Sequence, residues 1–384
     1  MREGAEGRTI AANNGIATDA PFHSVTPPLY ASTTYAFPAF NEKGPYDYSR
    51  TRNPTRDLLA DTIAKLEGGA GGIILSSGMA AIDLVVSQLT PNATVVAPYD
   101  CYAGTYRLLS KRQERQQIQV LFIDQSDPTT VAAALDKRPA LFLIETPSNP
   151  LMRIVDIQQI SEKAKTVDAL VAVDNTFLSP ALQKPLSLGA DIVIHSTTKY
   201  INGHSDVVGG AVVARDKARI EAMADWANTV GTTGSPMDAY LTLRGIRTLF
   251  PRIEAQQESA LELARFLSRH QMVKAVHYPG LGTHPGHDIA RRQQRGFGAM
   301  LSFEIHGDMS SVRRLVDRLE IFTLAESLGG IESLIAHPAT MTHANMPMAA
   351  RTKAGITDAL LRLSVGLEAT ADLRSDVEAA LAAT

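Results

Sequence analysis

Seven short, continuous apolar runs, separated by helical stretches, constrain the fold of this chain more than any other feature. They lie at 73–75, 94–97, 120–123, 141–144, 170–173, 192–194 and 211–214. Continuous apolar runs are typical of strands buried on both faces of a mostly parallel sheet. The first helix is predicted to begin after Asn53, a good N-cap followed by Pro54, and to end at Gly68. We therefore expect residues 50–245 to form an open, doubly wound α/β domain.

The residues before this domain have a different composition. Residues 1–49 are rich in turn formers, including the segments 27–28 and 32–34. A loop of this length is unusual at the front of a compact domain unless it packs on something. We therefore expect an irregular N-terminal arm that contacts a neighbouring subunit.

The residues after the α/β domain predict a smaller α+β domain over 246–384. Amphipathic helical patterns occur at about 251–268 and at 312–319, and strand-like runs occur at 299–305 and 361–365. A final helix is expected after the last of these strands.

Composition excludes several classes of protein. The 37 Lys and Arg against 40 Asp and Glu give a net charge of −3, which argues against a broad basic surface for nucleic acid. The single cysteine, Cys101, excludes internal disulfides and a multi-thiolate zinc site, and no metal is expected. No apolar run approaches the roughly 18–20 residues that cross a bilayer. The first twenty residues also lack a hydrophobic signal core, so we expect a cytoplasmic protein without a membrane partner.

Two of the predicted strands are followed by residues suited to a charged ligand, and ligands of open α/β sheets collect at these carboxyl ends. The turn 76–79 precedes a helix, whose N-terminus can bind an anion, although a simple tight turn explains it equally well. Asp174 directly follows the run 170–173, where a carboxylate is costly unless it is paired. Three roles are open for this carboxylate: a helix cap, a salt-bridge partner or the counter-ion of a protonated heterocycle.

A third strand end carries Lys199, after a buried run and a hydroxyl-rich turn at 196–198. A lysine that loses solvation becomes an available amine nucleophile, whereas a lone surface lysine would be unremarkable in this position. The three strand ends together match the needs of pyridoxal phosphate. Its phosphate requires a helix N-terminus and hydroxyls, its ring nitrogen a carboxylate, and its aldehyde a lysine.

The stretch 191–205 resembles the signature of the pyridoxal-phosphate enzymes of cysteine and methionine metabolism. Matching blocks at 48–50, 53–55, 145–150, 174–177, 326–330 and 362–366 extend the resemblance from Tyr48 to Glu368. The resemblance implies the aspartate-aminotransferase-like fold type I, with a large, mostly parallel-sheet domain and a smaller α+β C-terminal domain. It also implies a homotetramer made of two active dimers.

The resemblance assigns cofactor roles to individual residues. Lys199 would attach to the aldehyde and later move protons, Asp174 would pair with the ring nitrogen, and Tyr102 would stack on the ring as a candidate acid or base. The phosphate would be held by the backbone of Gly78 and Met79, by Ser196 and Thr198, and by Tyr48 and Arg50 of the neighbouring subunit.

The resemblance also implies a substrate site. Arg362 would clamp the α-carboxylate of the substrate in a bidentate manner. Asn149 and Ser327 would lie near that carboxylate or near the cofactor O3′. Glu326 and Arg107 are candidates for the distal half of the substrate.

The implied reaction is a γ-replacement in methionine biosynthesis. L-cysteine would replace the acyl group of O-succinylhomoserine or O-acetylhomoserine and give L-cystathionine. Elimination from cystathionine at Cγ is the main alternative, and sulfhydrylation of the ester or elimination at Cβ is less favoured. Outside this chemistry, an aminotransferase would use the same lysine and aspartate. Thr51 and Arg52 follow Arg50 where related synthases often have a second arginine beside the first, so the ester stays open.

Overall fold

The computed structural model describes residues 4–344 and 346–383. Residues 1–3 of the predicted arm, and residues 345 and 384 of the predicted C-terminal domain, lie outside the described residues. Two β-sheets organise the described part of the chain, and each is covered by helices.

The first sheet has seven strands in the order β1-β7-β6-β5-β4-β2-β3. Its strands are β1 Gly71–Leu75, β2 Ala93–Pro98, β3 Ile118–Ile123, β4 Leu141–Glu145, β5 Leu170–Asp174, β6 Ile192–Ser196 and β7 Gly210–Ala214. Neighbours are parallel except at β7, which is antiparallel to both β1 and β6. Every predicted apolar run is a strand, so the prediction of a mostly parallel sheet is confirmed.

Helices cover both faces of this sheet, as the continuous apolar runs require. The helices of this part are α1 Gly7–Asn13, α2 Pro54–Glu67, α3 Gly78–Val86, α4 Ala103–Glu114, α5 Pro128–Leu135, α6 Ile157–Lys165, α7 Ser179–Leu182, α8 Lys217–Val230 and α9 Pro236–Ile246, with a 3-10 helix at Pro185–Leu188. Ile82 of α3 and Met223 of α8 are buried on one face. Val131 of α5 and Ile160 of α6 are buried on the other.

The second sheet has five strands in the order β10-β11-β12-β9-β8. Its elements are α10 Leu249–Leu267, β8 Val273–His277, α11 His287–Gln293, β9 Met300–Ile305, α12 Met309–Arg318, β10 Thr323–Leu324, β11 Leu334–Ala336, α13 Met348–Ala354, β12 Leu360–Ser364 and α14 Thr370–Ala382. The helices and strands predicted for this part are present. The strands β8, β10 and β11 were not predicted, because they are too short or too polar to form a distinct pattern in the sequence.

The N-terminal arm differs from the prediction of an irregular segment because it contains the helix α1. Ile10 and Ala11 of this helix are buried in the largest apolar cluster of the same chain. Gly7 lies so close to Phe250 of α10 that a Cβ would be 2.7 Å from the ring. This first part of the arm therefore packs on its own chain through two buried apolar residues, and the contact of the arm with a neighbouring subunit stays a prediction.

The two sheets lie on opposite sides of the proposed boundary between residues 245 and 246, and the largest apolar cluster includes residues from both. Ile63 of α2, Leu263 of α10 and Phe303 of β9 are fully buried in it. Among the described residues, none of the helices has the length and apolarity to cross a bilayer.

Candidate active site

A cavity of about 310 Å³ opens at the carboxyl ends of β4, β5 and β6. It lies where the first sheet meets the loops around β11 and β12 of the second. The predicted site residues that line it are Gly78, Met79, Tyr102, Asn149, Asp174, Ser196, Thr198, Lys199, Glu326, Ser327 and Arg362. Most of the candidate residues, which are widely separated in the sequence, therefore share one cavity.

Lys199 supplies an amine to the lining of this cavity. It follows β6 after a short turn, and its Nζ donates a hydrogen bond of 2.7 Å to Oγ of Ser327. Burial, together with the positive charge of Arg362, lowers the pKa of Lys199 to about 8, although Glu326 partly opposes this shift. The amine can therefore hold or release a proton near neutral pH.

Asp174 ends β5 and faces the cavity without a cation. Its Oδ1 accepts a hydrogen bond of 3.0 Å from the backbone N of Thr176, and burial raises the pKa of its carboxyl. None of the ion pairs between described residues includes Asp174. Because a buried carboxylate is costly when unpaired, this position suits a ligand that brings a positive charge.

Glu145 is a second buried carboxyl that the sequence reasoning did not assign to the site. It ends β4 and pairs in register with Asp174 on the parallel strand β5. Its two oxygens accept hydrogen bonds from the backbone N of Tyr102 at 2.9 Å and of Asn149 at 3.0 Å. Burial and the nearby Asp174 raise its pKa well above the usual value. Its position at a strand end, like that of Asp174, was the available signal.

The N-terminus of α3 forms an anion site beside Ser196. The Ser77 side chain caps the helix by accepting a hydrogen bond of 3.1 Å from the N of Ala80. The N–H groups of Gly78 and Met79 have no acceptor within the helix, because the first turn of any helix lacks one. A Cβ on Gly78 would lie 2.7 Å from Cβ of Ser196, so only glycine leaves this cradle open.

Some of the hydroxyls near this anion site already make hydrogen bonds within the chain. Thr198 Oγ1 donates to the carbonyl of Gly209 at 3.2 Å and accepts from its N–H at 2.9 Å. This hydroxyl therefore fixes the turn before Lys199 in addition to its predicted role. Thr176, which the sequence reasoning did not single out, accepts a hydrogen bond of 2.9 Å from the N of Ser196.

Arg362 forms a second anion site in the same cavity. It lies on β12, is 2% exposed, and its Nη1 donates to Oδ1 of Asn149 at 2.9 Å. Its Nη2 donates to the backbone carbonyl of Ser327 at 2.7 Å. Its Nε has no partner among the described residues, and burial lowers its pKa to about 10. The guanidinium remains charged at neutral pH and is suited to an anionic ligand group.

Three predicted site residues are not among those that line this cavity. Tyr48 is partly exposed, and the exposed Arg50 donates a hydrogen bond of 3.2 Å to Oδ1 of Asn228. Arg107 is an exposed residue of α4 that lines a neighbouring groove. For Tyr48 and Arg50 this agrees with a role toward another subunit, which stays a prediction.

Arg52, in the segment that departs from the family pattern, is already engaged within its own chain. Its guanidinium is 2.7 Å from Oδ2 of Asp57 and lies over the ring of Tyr46, at 5.2 Å from the centroid. Arg52 is therefore not a free second arginine beside Arg50.

The donor set of the cavity fits pyridoxal phosphate. The helix N-terminus at Gly78, with Ser196 beside it, suits the phosphate, and the unpaired Asp174 carboxyl suits the protonated ring nitrogen. Lys199 provides a partly deprotonated amine for the aldehyde. Tyr102 lines the cavity as the first residue before α4, so its ring is available for stacking.

Comparisons with known proteins agree with this fit. The sequence profile of the Cys/Met metabolism PLP-dependent enzymes matches residues 8–382. The chain is 52% identical to cystathionine gamma-synthase of Escherichia coli, covering 96% of each chain, and 45% identical to cystathionine beta-lyase of Coxiella burnetii, covering 93% of each. Its structure superposes on cystathionine gamma synthase from Xanthomonas oryzae pv. oryzae in complex with cystathionine, with a TM-score of 0.98, 55% identity and 98% of each chain covered. The chain therefore belongs to the pyridoxal-phosphate-dependent enzymes of cysteine and methionine metabolism and has their fold type I architecture.

Proposed function

We propose that this enzyme catalyses a γ-replacement, in which L-cysteine displaces the acyl group of O-succinylhomoserine or O-acetylhomoserine and L-cystathionine is formed. The proposal selects one reaction among those of the family. It assigns the chain to the synthesis of cystathionine and so to methionine biosynthesis.

The observation that carries the proposal is the double link through Ser327. Its hydroxyl accepts from Lys199 Nζ at 2.7 Å, and its carbonyl accepts from Arg362 Nη2 at 2.7 Å. An α-amino acid whose carboxylate binds at Arg362 therefore presents its Cα to the Lys199 amine. A γ-replacement needs a proton acceptor that serves Cα and then Cβ, and a lysine on a flexible stem reaches both.

The bound cofactor supplies an aldehyde and a ring that withdraws electrons from the substrate. Asp174 would hold the ring nitrogen in its protonated form, which would preserve that withdrawal. Lys199 accepts a proton at Nζ and returns it, because its lowered pKa makes both forms accessible near neutral pH. Tyr102, whose backbone N–H donates to Glu145, would stack on the cofactor ring.

Glu326 supplies a negative charge on the wall of the cavity. It lies close enough to Lys199 and Arg362 to raise the pKa of both. We infer that it attracts the ammonium group of the second amino acid, the incoming cysteine. The same group would receive the distal ammonium of cystathionine, so Glu326 supports both the synthase and the lyase directions.

Cleavage of cystathionine is the second candidate function. It is favoured by the similarity to the cystathionine beta-lyase of Coxiella burnetii, at 45% identity over 93% of the chain. The higher identity to the two synthases favours replacement as the main reaction. Because the cavity residues described above suit both reactions, the balance between them has to be measured.

The test is a direct comparison of substrates on the purified holoenzyme. O-succinylhomoserine and O-acetylhomoserine are each supplied with L-cysteine, and L-cystathionine is supplied alone, while cystathionine and free keto acid are quantified by mass spectrometry. We expect cystathionine from at least one ester at a higher rate than keto acid from cystathionine. A Lys199→Ala variant is the control for non-enzymatic product. Keto acid from cystathionine as the dominant product would replace the proposal with the lyase.

We also propose that the enzyme is a cytoplasmic homotetramer built from two active dimers. The arm exposes large apolar side chains, with Phe22 86% and Phe40 94% exposed, which a second copy would cover. Tyr48 and Arg50 of the arm would then reach the phosphate site of that copy. Light scattering gives the mass of the assembly, and cell fractionation tests its location.

A further inference from the structure

A buried histidine that the proposed mechanism does not use lies behind the carboxylate site. His343 follows β11 in sequence, and its ring has no solvent exposure. Its Nε2 is 3.1 Å from the backbone carbonyl of Asn149, 194 positions away in the chain. Asn149 in turn accepts from Arg362, so the histidine is one residue removed from the proposed carboxylate clamp.

The contacts of the His343 ring define its tautomer. A carbonyl oxygen can only accept, so Nε2 must carry the proton that is donated to Asn149. Nδ1 is then an acceptor, and it lies 2.9 Å from Oγ1 of Thr342, whose hydroxyl donates to it. Burial and the charge of Arg362 lower the pKa of His343 to about 4, so the ring is neutral at neutral pH.

Asn149 is held at three atoms, and His343 provides one of the three contacts. Its N–H donates to Glu145 at 3.0 Å, its Oδ1 accepts from Arg362 at 2.9 Å, and its carbonyl accepts from His343. Without the imidazole donor, a buried carbonyl would be left unpaired and the segment that carries Asn149 could shift. Such a shift would move Oδ1 of Asn149, the atom to which Nη1 of Arg362 donates its hydrogen bond.

We propose that His343 is a positioning residue that sets the substrate-carboxylate clamp through the backbone of Asn149. The inference rests on the proposed binding of the α-carboxylate at Arg362, and not on which homoserine ester is used. Thr342, which lines the cavity, is tied to the same ring. The segment after β11 and the loop after β4 are thereby joined at the site of substrate recognition.

Two amide substitutions separate the two hydrogen bonds of the ring. In His343→Asn, the amide oxygen replaces Nδ1 and still accepts from Thr342, but the donor to Asn149 is lost. In His343→Gln, the amide nitrogen replaces Nε2 and still donates to Asn149, but the acceptor for Thr342 is lost. Both variants lose the ring, so the cost of lost packing is common to them.

Binding of L-alanine and of L-alaninamide to the holoenzyme is measured through the change in absorption of the bound cofactor. The amide lacks the carboxylate, so the ratio of the two dissociation constants reports the clamp alone. We expect His343→Asn to reduce the preference for L-alanine roughly tenfold, the scale of one lost hydrogen bond that leaves a buried acceptor unpaired. We expect His343→Gln to keep the wild-type preference.

Several results would overturn the inference. One is a wild-type preference in His343→Asn, and another is an equal loss in both variants. A wild-type enzyme that binds both compounds alike would remove the clamp itself. If neither variant folds, neutron diffraction of the wild-type protein decides: deuterium on Nε2 supports the inference, and deuterium on Nδ1 overturns it. Formation of cystathionine is scored separately, so failure of the proposed reaction leaves this ratio interpretable.

Discussion

Nζ of Lys199 donates a hydrogen bond of 2.7 Å to Oγ of Ser327, a residue whose backbone has a φ of +87°. Left-handed backbone is costly for a residue with a side chain, and such residues concentrate at functional sites. The strained position directs the hydroxyl toward the amine and the carbonyl toward Arg362. Ser327 therefore fixes the relative position of the two groups that the proposed reaction requires.

Substitution of Ser327 should separate its chemical role from its backbone strain. Ser327→Ala and Ser327→Gly both lose the acceptor for Lys199, and we expect kcat/KM to fall roughly tenfold in each. The glycine variant relieves the left-handed strain, so its free energy of unfolding should exceed that of the alanine variant by about 1 kcal/mol. Steady-state kinetics and denaturant unfolding measure the two effects. Full activity in the alanine variant would show that the hydrogen bond is dispensable.

The pH dependence of the rate at which pyridoxal phosphate attaches to the apoenzyme should reflect the Lys199 amine. Attack on the cofactor aldehyde needs the neutral amine, whose pKa in the apoenzyme is lowered to about 8, so the rate should rise as the pH increases through that value and then level off. Glu326 raises this pKa, so Glu326→Gln should move the rising limb to lower pH. The exposed Glu320→Gln serves as the control and should leave the profile in place. A rising limb that stays unchanged in Glu326→Gln would contradict the assignment.

Loss of Arg362 should act mainly on substrate binding. Arg362→Ala removes charge-assisted hydrogen bonds to the α-carboxylate, and we expect KM to rise roughly 10- to 100-fold with a smaller change in kcat. Arg362→Lys keeps the charge but cannot reach Asn149 and Ser327 together, so it should recover only part of the loss. Initial-rate kinetics with saturating cysteine provide the measurement. An unchanged KM in the alanine variant would refute the carboxylate role.

The cradle at Gly78 should be sensitive to a single methyl group. A Cβ there would lie 2.7 Å from Cβ of Ser196 and 3.0 Å from its Cα, so Gly78→Ala needs a backbone shift in the proposed phosphate site. We expect the dissociation constant of pyridoxal phosphate to rise at least roughly tenfold, in line with the usual cost of overpacking. The matched control is Gly282→Ala, where a Cβ meets nothing within 4 Å. Absorbance titration of the cofactor into apoenzyme decides, and equal affinity in both variants would exclude a tight cradle.

Mixed oligomers should reveal whether the arm serves a neighbouring site. Arg50→Ala and Lys199→Ala are each expected to be inactive. If Arg50 acts on the partner, a hybrid dimer contains one site with both defects and one intact site, so the co-expressed mixture should have about one quarter of the wild-type activity and the purified hybrid about one half. The two subunits carry different tags so that hybrids can be purified. If Arg50 serves its own chain, both sites of every hybrid are defective and no activity returns.

Local patterns in the sequence were enough to predict the strands and several termini of helices. Asn53 caps α2 by accepting from the N–H groups of Thr55 and Arg56, and Gly68 ends that helix with a φ of 78°. Asp174 and Lys199 were recognisable because each closely follows a buried apolar run. Such features are short-range consequences of burial and backbone conformation, so a few neighbouring residues are enough to specify them.

Contacts between distant residues left no such local signal. Glu145 and His343 were not assigned a role, although Glu145 contacts Tyr102, 43 positions away, and His343 contacts Asn149, 194 positions away. Arg107, which the resemblance assigns to the distal half of the substrate, is exposed on α4 and lines a neighbouring groove, so this assignment stays a prediction. The helix α1 was missed because it has only seven residues and Ile10 is its only large apolar side chain, which leaves no helical periodicity in the sequence.

By itself, the sequence determined the mostly parallel sheet, the reactive residues at its strand ends and, through its motifs, the family. Only the tertiary structure decided that Arg362 meets Asn149, 213 positions away, and that Ser327 joins Lys199 to Arg362. The physical reason is that hydrophobic periodicity reports which face of an element is buried. The meeting of two polar side chains depends instead on how two sheets and their loops pack together, which no short stretch of chain encodes.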